Sequence, residues 1–216
     1  FPHGAEPVPG NLKDLCHLVK SKRCDLGIAT DPDADRCALI DEGGRAIGEE
    51  YTLVFASRLV LARKKGPVTI NLSTSRMIED VAAARGVPVF RAKVGEINVT
   101  SAMRENRSVI GGEGNGGVIY PALHYGRDGI LAAAMTLQLL TEARRPVSSL
   151  VTDFPSYHIE KQKFPTGARA ADEALAAVRP LFPDAKVDER DGLRFGWKDR
   201  WVHVRASNTE PVLRVI

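Results

Sequence analysis

Apolar positions recur with two different periods along the chain. Leu12, Leu15, Cys16 and Val19 keep the i, i+3, i+4, i+7 spacing of one buried helical face, predicting a helix that Asn11 caps and that runs to about Lys22. "DLGIA" (25–29) and "CALID" (37–41) are short apolar runs that predict strands, and "DEGGR" (41–45) predicts a turn. Helices are then expected near 48–64, 75–85 and 96–106, and strands at 67–72, 87–92, 108–112 and 117–120. A long apolar helix runs from about Asp128 to Ala143. Strands alternating with helices predict an α/β fold: a mainly parallel, mixed sheet with flanking helices. After "RRPVSSLVTDFPSY" (144–157) the pattern changes to a strand, "HIEKQKF", an amphipathic helix over 168–182 and several short strands. That order predicts a smaller α+β C-terminal domain, with a boundary near residue 150. No internal repeat or low-complexity segment is visible.

Composition narrows the classes. Of 216 residues 44% are hydrophobic and 26% charged, as in soluble chains that bury a sizeable core. The net charge of +3 is small and dispersed, so nucleic acid is not an expected partner. No apolar run reaches the ~18 residues of a membrane span. Cys16, Cys24 and Cys37 are odd in number and lack CxxC spacing, which points to free thiols in a reducing, cytoplasmic setting. The chain opens on Phe1 in a Pro/Gly stretch without signal-peptide features and ends within the strand-like "PVLRVI". Both ends suggest a piece of a longer protein.

The unusual chemistry lies in "GIATDPDADRCALID" (27–41). Asp31, Asp33 and Asp35 occupy every second position, so in an extended segment their carboxylates point the same way. Three negative charges against one from Arg36 leave a deficit that a divalent cation would cancel. Carboxylate oxygens suit Mg²⁺ or Ca²⁺. The plainer reading is a solvated acidic turn, since Asp-Pro-Asp is good turn chemistry. A calcium EF-hand is excluded, because Arg36 stands where that loop needs glycine and the flanks are strand-like.

"DLGIATDPDADR" resembles the metal loop of the α-D-phosphohexomutases, the phosphoglucomutase and phosphomannomutase family. "GGEGNGGVIYPALHYGRDG" (111–129) resembles the family's sugar-binding loop, in a form like that of phosphomannomutase or phosphoglucosamine mutase variants. There Glu113 accepts hydrogen bonds and Asn115 both donates and accepts, as sugar hydroxyls require; a Gly-rich hairpin is the structural alternative. "RASNTEPVLRV" (205–215) resembles the family's phosphate-binding loop, in which Arg205, Ser207, Asn208 and Thr209 offer donors to a phosphate and Arg214 supports them. The alternative is a polar turn between strands. "RAKVGEINV" (91–99) is similar to a third-domain loop whose lysine, here Lys93, meets a substrate phosphate or simply lies on the surface. His124, Arg127 and Asp128 stand where the family has polar contacts, or else mark a helix N-terminus.

The resemblance implies three parts: 1–42, the C-terminal part of the family's second domain with the metal loop; 43–150, an α/β third domain with the sugar loop; and 151–216, an α+β fourth domain with the phosphate loop. It implies a phosphohexomutase that interconverts hexose 1-phosphate and hexose 6-phosphate through a phosphoserine enzyme and a bisphosphorylated sugar. Mg²⁺ is the implied cofactor, and phosphates of glucose, mannose or glucosamine are the implied partners, together with the family's N-terminal domains. Arg36 and Lys93 take catalytic roles in this reading. The family's nucleophile lies in a Ser-His-Asn context, and no serine in this chain precedes a histidine. The chain is therefore expected to be inactive alone, the alternative function being a non-catalytic phosphosugar-binding module.

Overall fold

The structure, a computed structural model, describes residues 3–207 and 210–216. The chain divides into two compact units, Phe1–Tyr157 and His158–Ile216.

In the first unit a 3₁₀ turn at Pro9–Asn11 leads into α1 (Lys13–Lys22). Asn11 does not cap this helix. Pro9, with a φ suited to a first helical position, begins the turn early. Asn11 is thereby drawn back to donate Nδ2 to the Glu6 carbonyl at 2.8 Å, and Leu12 stands at the cap. The expected apolar face forms all the same: Leu12 and Val19 are buried against Ala38 and Ile40, with Leu15 and Cys16 alongside. β1 (Gly27–Thr30) and β2 (Cys37–Ile40) pair antiparallel, with Thr30 opposite Cys37, so the aspartate segment closes a hairpin.

α2 (Glu50–Arg63) buries six consecutive residues, Thr52 to Ser57, and so is enclosed on all sides there. β3 (Val68–Asn71), α3 (Met77–Ala83), β4 (Val89–Ala92), α4 (Glu96–Glu105), β5 (Ile110–Glu113), β6 (Gly117–Ile119), α5 (Gly129–Ala143) and α6 (Val147–Val151) follow. The sheet order is β4-β3-β5-β6, parallel except for β6, which is the mixed sheet the pattern predicts. Val68, Ile70, Ile110 and Val118 pack on α2, α3, α5 and α6. Ala92 and Ile119 pack with Val99 and Met103 of α4 in a separate cluster. β3 is central, with β4 on one side and β5 on the other. The chain thus reverses its strand order at β3, and open α/β sheets form ligand crevices at the carboxyl ends of such strands. Asn71, Lys93 and Glu113 end or follow the three parallel strands there.

The second unit contains β7 (Gln162–Pro165), α7 (Ala168–Val178), β8 (Lys186–Asp188), β9 (Leu193–Gly196), β10 (Trp201–Ala206) and β11 (Val212–Val215). The strands form one antiparallel sheet ordered β7-β11-β10-β9-β8. Leu193, Phe195, Val204 and Leu213 make its core with Ala171 of α7. Strand alternation turns His203 and Arg205 away from Val204, and Arg205, Arg214 and Lys163 lie in register across three strands. Among the described residues no helix is long and apolar enough to cross a membrane.

Candidate functional site

Asp31, Asp33 and Asp35 each offer a carboxylate oxygen within 4.8 Å of the others. The convergence does not come from an extended strand, as the spacing suggests. Residues 32–34 form a turn in which Ala34 adopts a left-handed φ of 56°, and the Ala34 N–H donates to the Asp31 carbonyl at 3.1 Å. Arg36 folds back over this turn. Its backbone N–H and Nε–H donate to Asp31 at 3.0 and 2.6 Å. Burial acts to raise the Asp31 carboxyl, but the Arg36 hydrogen bonds outweigh it and hold Asp31 below its ordinary value. Asp35 behaves in the opposite way. Burial pushes it up to about 6, with Asp31 and Asp33 adding to the rise and the Arg127 guanidinium opposing it. Its Oδ1 is buried, accepts no hydrogen bond among the described residues and lies 3.5 Å from Arg36 Nε. A buried acceptor oxygen beside two further carboxylates fits a hard cation.

Glycine brings the loop at 113–117 to this turn. Gly116 has a φ of +90°, and a Cβ there would collide with the Cys37 carbonyl. This close approach lets the Cys37 N–H donate to Gly116 O at 3.0 Å, just beyond the aspartates. Gly114 lies against Glu50 and donates its N–H to Thr74 Oγ1 at 3.1 Å. Asn115 Oδ1 accepts from Gly117 N at 3.1 Å.

Glu113 is 3% exposed and accepts three hydrogen bonds. Asn71 Nδ2 and Gly95 N each donate to Oε1 at 2.8 Å, and Arg127 donates to Oε2 at 2.9 Å. Arg127 also pairs with Asp35 and, at 3.1 Å, with Glu96. Lys93, after β4, is exposed and makes no ion pair among the described residues. Asp128 is the N-cap of α5: its Oδ1 accepts from Leu131 N at 2.7 Å, while His124 holds Oδ2 at 3.0 Å. Asn71, Thr74 and Glu50 complete this constellation without any motif to announce them, and Glu96 lies within the 91–99 stretch. The one sequence signal was "NLSTS" (71–75), a polar run directly after an apolar strand.

In the second unit Arg205 is 4% exposed, and its Nε donates to Asp191 at 3.1 Å. Arg214 pairs with Glu210, which also faces Lys163 at 3.4 Å. The Ser207 N–H donates to the Val212 carbonyl at 2.9 Å, closing the base of the loop. Asn208 and Thr209 lie outside the described residues.

Residues 47–157 match the family model described as phosphoglucomutase/phosphomannomutase, alpha/beta/alpha domain III; residues 1–44 match that of domain II, and residues 160–216 that of the C-terminal domain. The chain belongs to the α-D-phosphohexomutase family. A probable phosphoglucosamine mutase of Methanopyrus kandleri is 39% identical over 213 residues, covering 97% of this chain and 47% of its own. A phosphoglucomutase/phosphomannomutase of Thermococcus kodakarensis is 38% identical, covering 97% and 46%. The crystal structure of a phosphoglucomutase/phosphomannomutase family protein from Burkholderia thailandensis matches at a TM-score of 0.83 and 25% identity, over 96% of this chain and 45% of that one. The chain thus spans about half the length of these relatives. Its aspartate loop falls in the domain II match, Lys93, Glu113, Asn115 and Arg127 in the domain III match, and Arg205 and Arg214 in the C-terminal match.

Proposed function

We propose that the chain works within a phosphohexomutase that interconverts hexose 1-phosphate and hexose 6-phosphate through a phosphoserine enzyme and a bisphosphorylated sugar. The observation that carries this reading is the trio of carboxylates within 4.8 Å of one another, tied through Arg127 to the buried Glu113 of the sugar loop. Asp31, Asp33 and Asp35 would hold Mg²⁺, which when bound offsets charge on the transferring phosphoryl group. Arg36, anchored on Asp31, adds a fixed cation beside that group, and the unpaired Lys93 meets a substrate phosphate as a point charge. A carboxylate has about four acceptor positions, and Glu113 has three filled, so one is left to read a sugar hydroxyl. Asn115 serves the sugar beside it. Arg205 and the loop at 207–209, supported by Arg214, hold a substrate phosphate. The names of the relatives favour glucosamine, glucose or mannose phosphates as substrates. Such soluble metabolites, with three free cysteines, suit a cytoplasmic enzyme.

No serine among the 216 residues precedes a histidine, so the phosphoryl carrier of this mechanism is not in the chain. Phosphorus NMR of glucose, mannose and glucosamine 1-phosphates, with Mg²⁺ and a trace of hexose bisphosphate, tests the reading. The product of the complete gene should convert at least one of them, its Asp33→Asn variant should lose most of that rate, and the 216-residue chain alone should convert none. Turnover by the chain at a rate near that of the complete protein would show that a residue within it carries the phosphoryl. No turnover by the complete protein would overturn the enzymatic reading.

A further inference from the structure

The triplet Arg127-Asp128-Gly129 is remote from the aspartate turn in sequence yet fastens it at several points. The Gly129 N–H donates to the Ala34 carbonyl at 2.8 Å. A Cβ on Gly129 would sit 2.5 Å from the Arg36 carbonyl oxygen and 2.8 Å from that of Ala34, so only glycine lets the two backbones meet. Arg127 Nη2 pairs with Asp35. The turn needs such support, because Ala34 holds a left-handed backbone that residues with a Cβ adopt only at a cost.

The triplet is itself fixed. The Asp128 N–H donates to the Val118 carbonyl at 2.9 Å, and Arg127 forms a β-bridge with Ile119. The Arg127 guanidinium meets three carboxylates from three segments: Asp35 in the aspartate turn, Glu96 at the start of α4 and Glu113 at the end of β5. Its side chain is 19% exposed. A planar fork whose separate nitrogens are engaged in three directions fixes positions that a point charge on a flexible stem would not.

We infer that Arg127 and Gly129 form a clasp that keeps the aspartate turn in its ligating shape and at a fixed distance from Glu113. Arg127 is then a positioning residue acting through Asp35 and Glu113 rather than a contact to substrate. The inference rests on reading Asp31, Asp33 and Asp35 as metal ligands, but the clasp itself can be measured without metal.

Hydrogen exchange on the metal-free chain provides that measurement. The Ala34, Arg36 and Cys37 amides donate to Asp31 O, Asp31 Oδ1 and Gly116 O. In Arg127→Gln and in Gly129→Ala these amides should exchange about tenfold faster or more, while amides of β3 and β5 keep their protection. Adding Ala34→Gly to Arg127→Gln relieves the left-handed strain and should recover part of the lost protection. Calorimetric Mg²⁺ titration should show about tenfold weaker binding in Arg127→Gln, the loss typical when a partner of a ligand is removed. Arg127→Lys should bind Mg²⁺ nearly as weakly, since a single ammonium nitrogen cannot occupy the three separate positions from which Nε, Nη1 and Nη2 meet Glu96, Glu113 and Asp35. Unchanged turn exchange in Arg127→Gln, with loss confined to hexose phosphate binding, overturns the clasp and makes Arg127 a substrate contact. Faster turn exchange in a chain whose parent binds no Mg²⁺ upholds the clasp and removes the metal reading instead.

Discussion

His203 sits fully buried in β10, its Nε2 2.6 Å from the Asp191 carbonyl oxygen, and the Asp191 carboxylate in turn accepts from Arg205. The ring therefore steadies the residue that holds Arg205. Burial is the main cause that sets the imidazole below its ordinary value of 6.5. The folded chain thus binds this proton less readily than the unfolded chain, so the contribution is intact above about pH 6.5 and declines as pH falls below it. Thermal melting of the second unit between pH 7.5 and 5 should show the decline, and His203→Gln, which keeps a donor without a titrating ring, should flatten it. Equal acid slopes in the two proteins would remove His203 as the cause. The three aspartate carboxylates do converge, but not by the route their spacing suggests. The spacing of Asp31, Asp33 and Asp35 suggested convergence by strand alternation, whereas a turn with a left-handed Ala34 produces it. Left-handed backbone at an alanine leaves no trace in composition or period.

At the scale of elements, strands and helices with strong periodicity were legible to within a few residues, from α2 and α5 to the short strands of the sheet. α6 was not, because five residues with Val147 and Leu150 buried are too few to display a period. Of the partners of Glu113, Arg127 and Gly95 lie in the stretches 111–129 and 91–99 that the resemblance marks, whereas Asn71 lies in neither, and only the sheet topology shows that all three meet Glu113. The start of α5 shows how two readings of one residue resolve. Asp128, expected either among the polar contacts or at a helix start, caps α5 through Leu131. Asp128→Ala should lower the stability of the first unit by about 1 kcal/mol, the usual cost of losing an N-cap oxygen. His124→Ala should cost less, since a half-exposed pair with Asp128 adds only a few tenths of a kcal/mol. Denaturant titration of both variants checks the order, and a larger loss in His124→Ala would mean that the pair, not the cap, secures this helix start.

On the scale of the whole molecule, each unit carries its own core. The first surrounds Leu53, Phe55, Ile70 and Ile110. The second is small and depends on Phe195, which is fully buried with Phe182 at 4.9 Å and interplanar 59°, while Trp197 packs edge-on against the same Phe182 at 5.5 Å. Removing a buried phenylalanine typically costs ~3–5 kcal/mol, close to the whole stability of a small domain. Phe195→Ala should therefore unfold the second unit at room temperature. Both tryptophans of the chain, Trp197 and Trp201, belong to that unit, so their fluorescence reports its unfolding alone. Phosphate binding that depends on Arg205 should vanish with the tryptophan signal. Mg²⁺ binding at Asp31, Asp33 and Asp35 should persist, because the aspartate turn is held by β1, β2 and the Arg127–Gly129 clasp, all within the first unit. The loss of Mg²⁺ binding in step with tryptophan fluorescence would mean that the two cores fold as one cooperative body, and that the carboxylate site depends on more of the chain than its own contacts reveal.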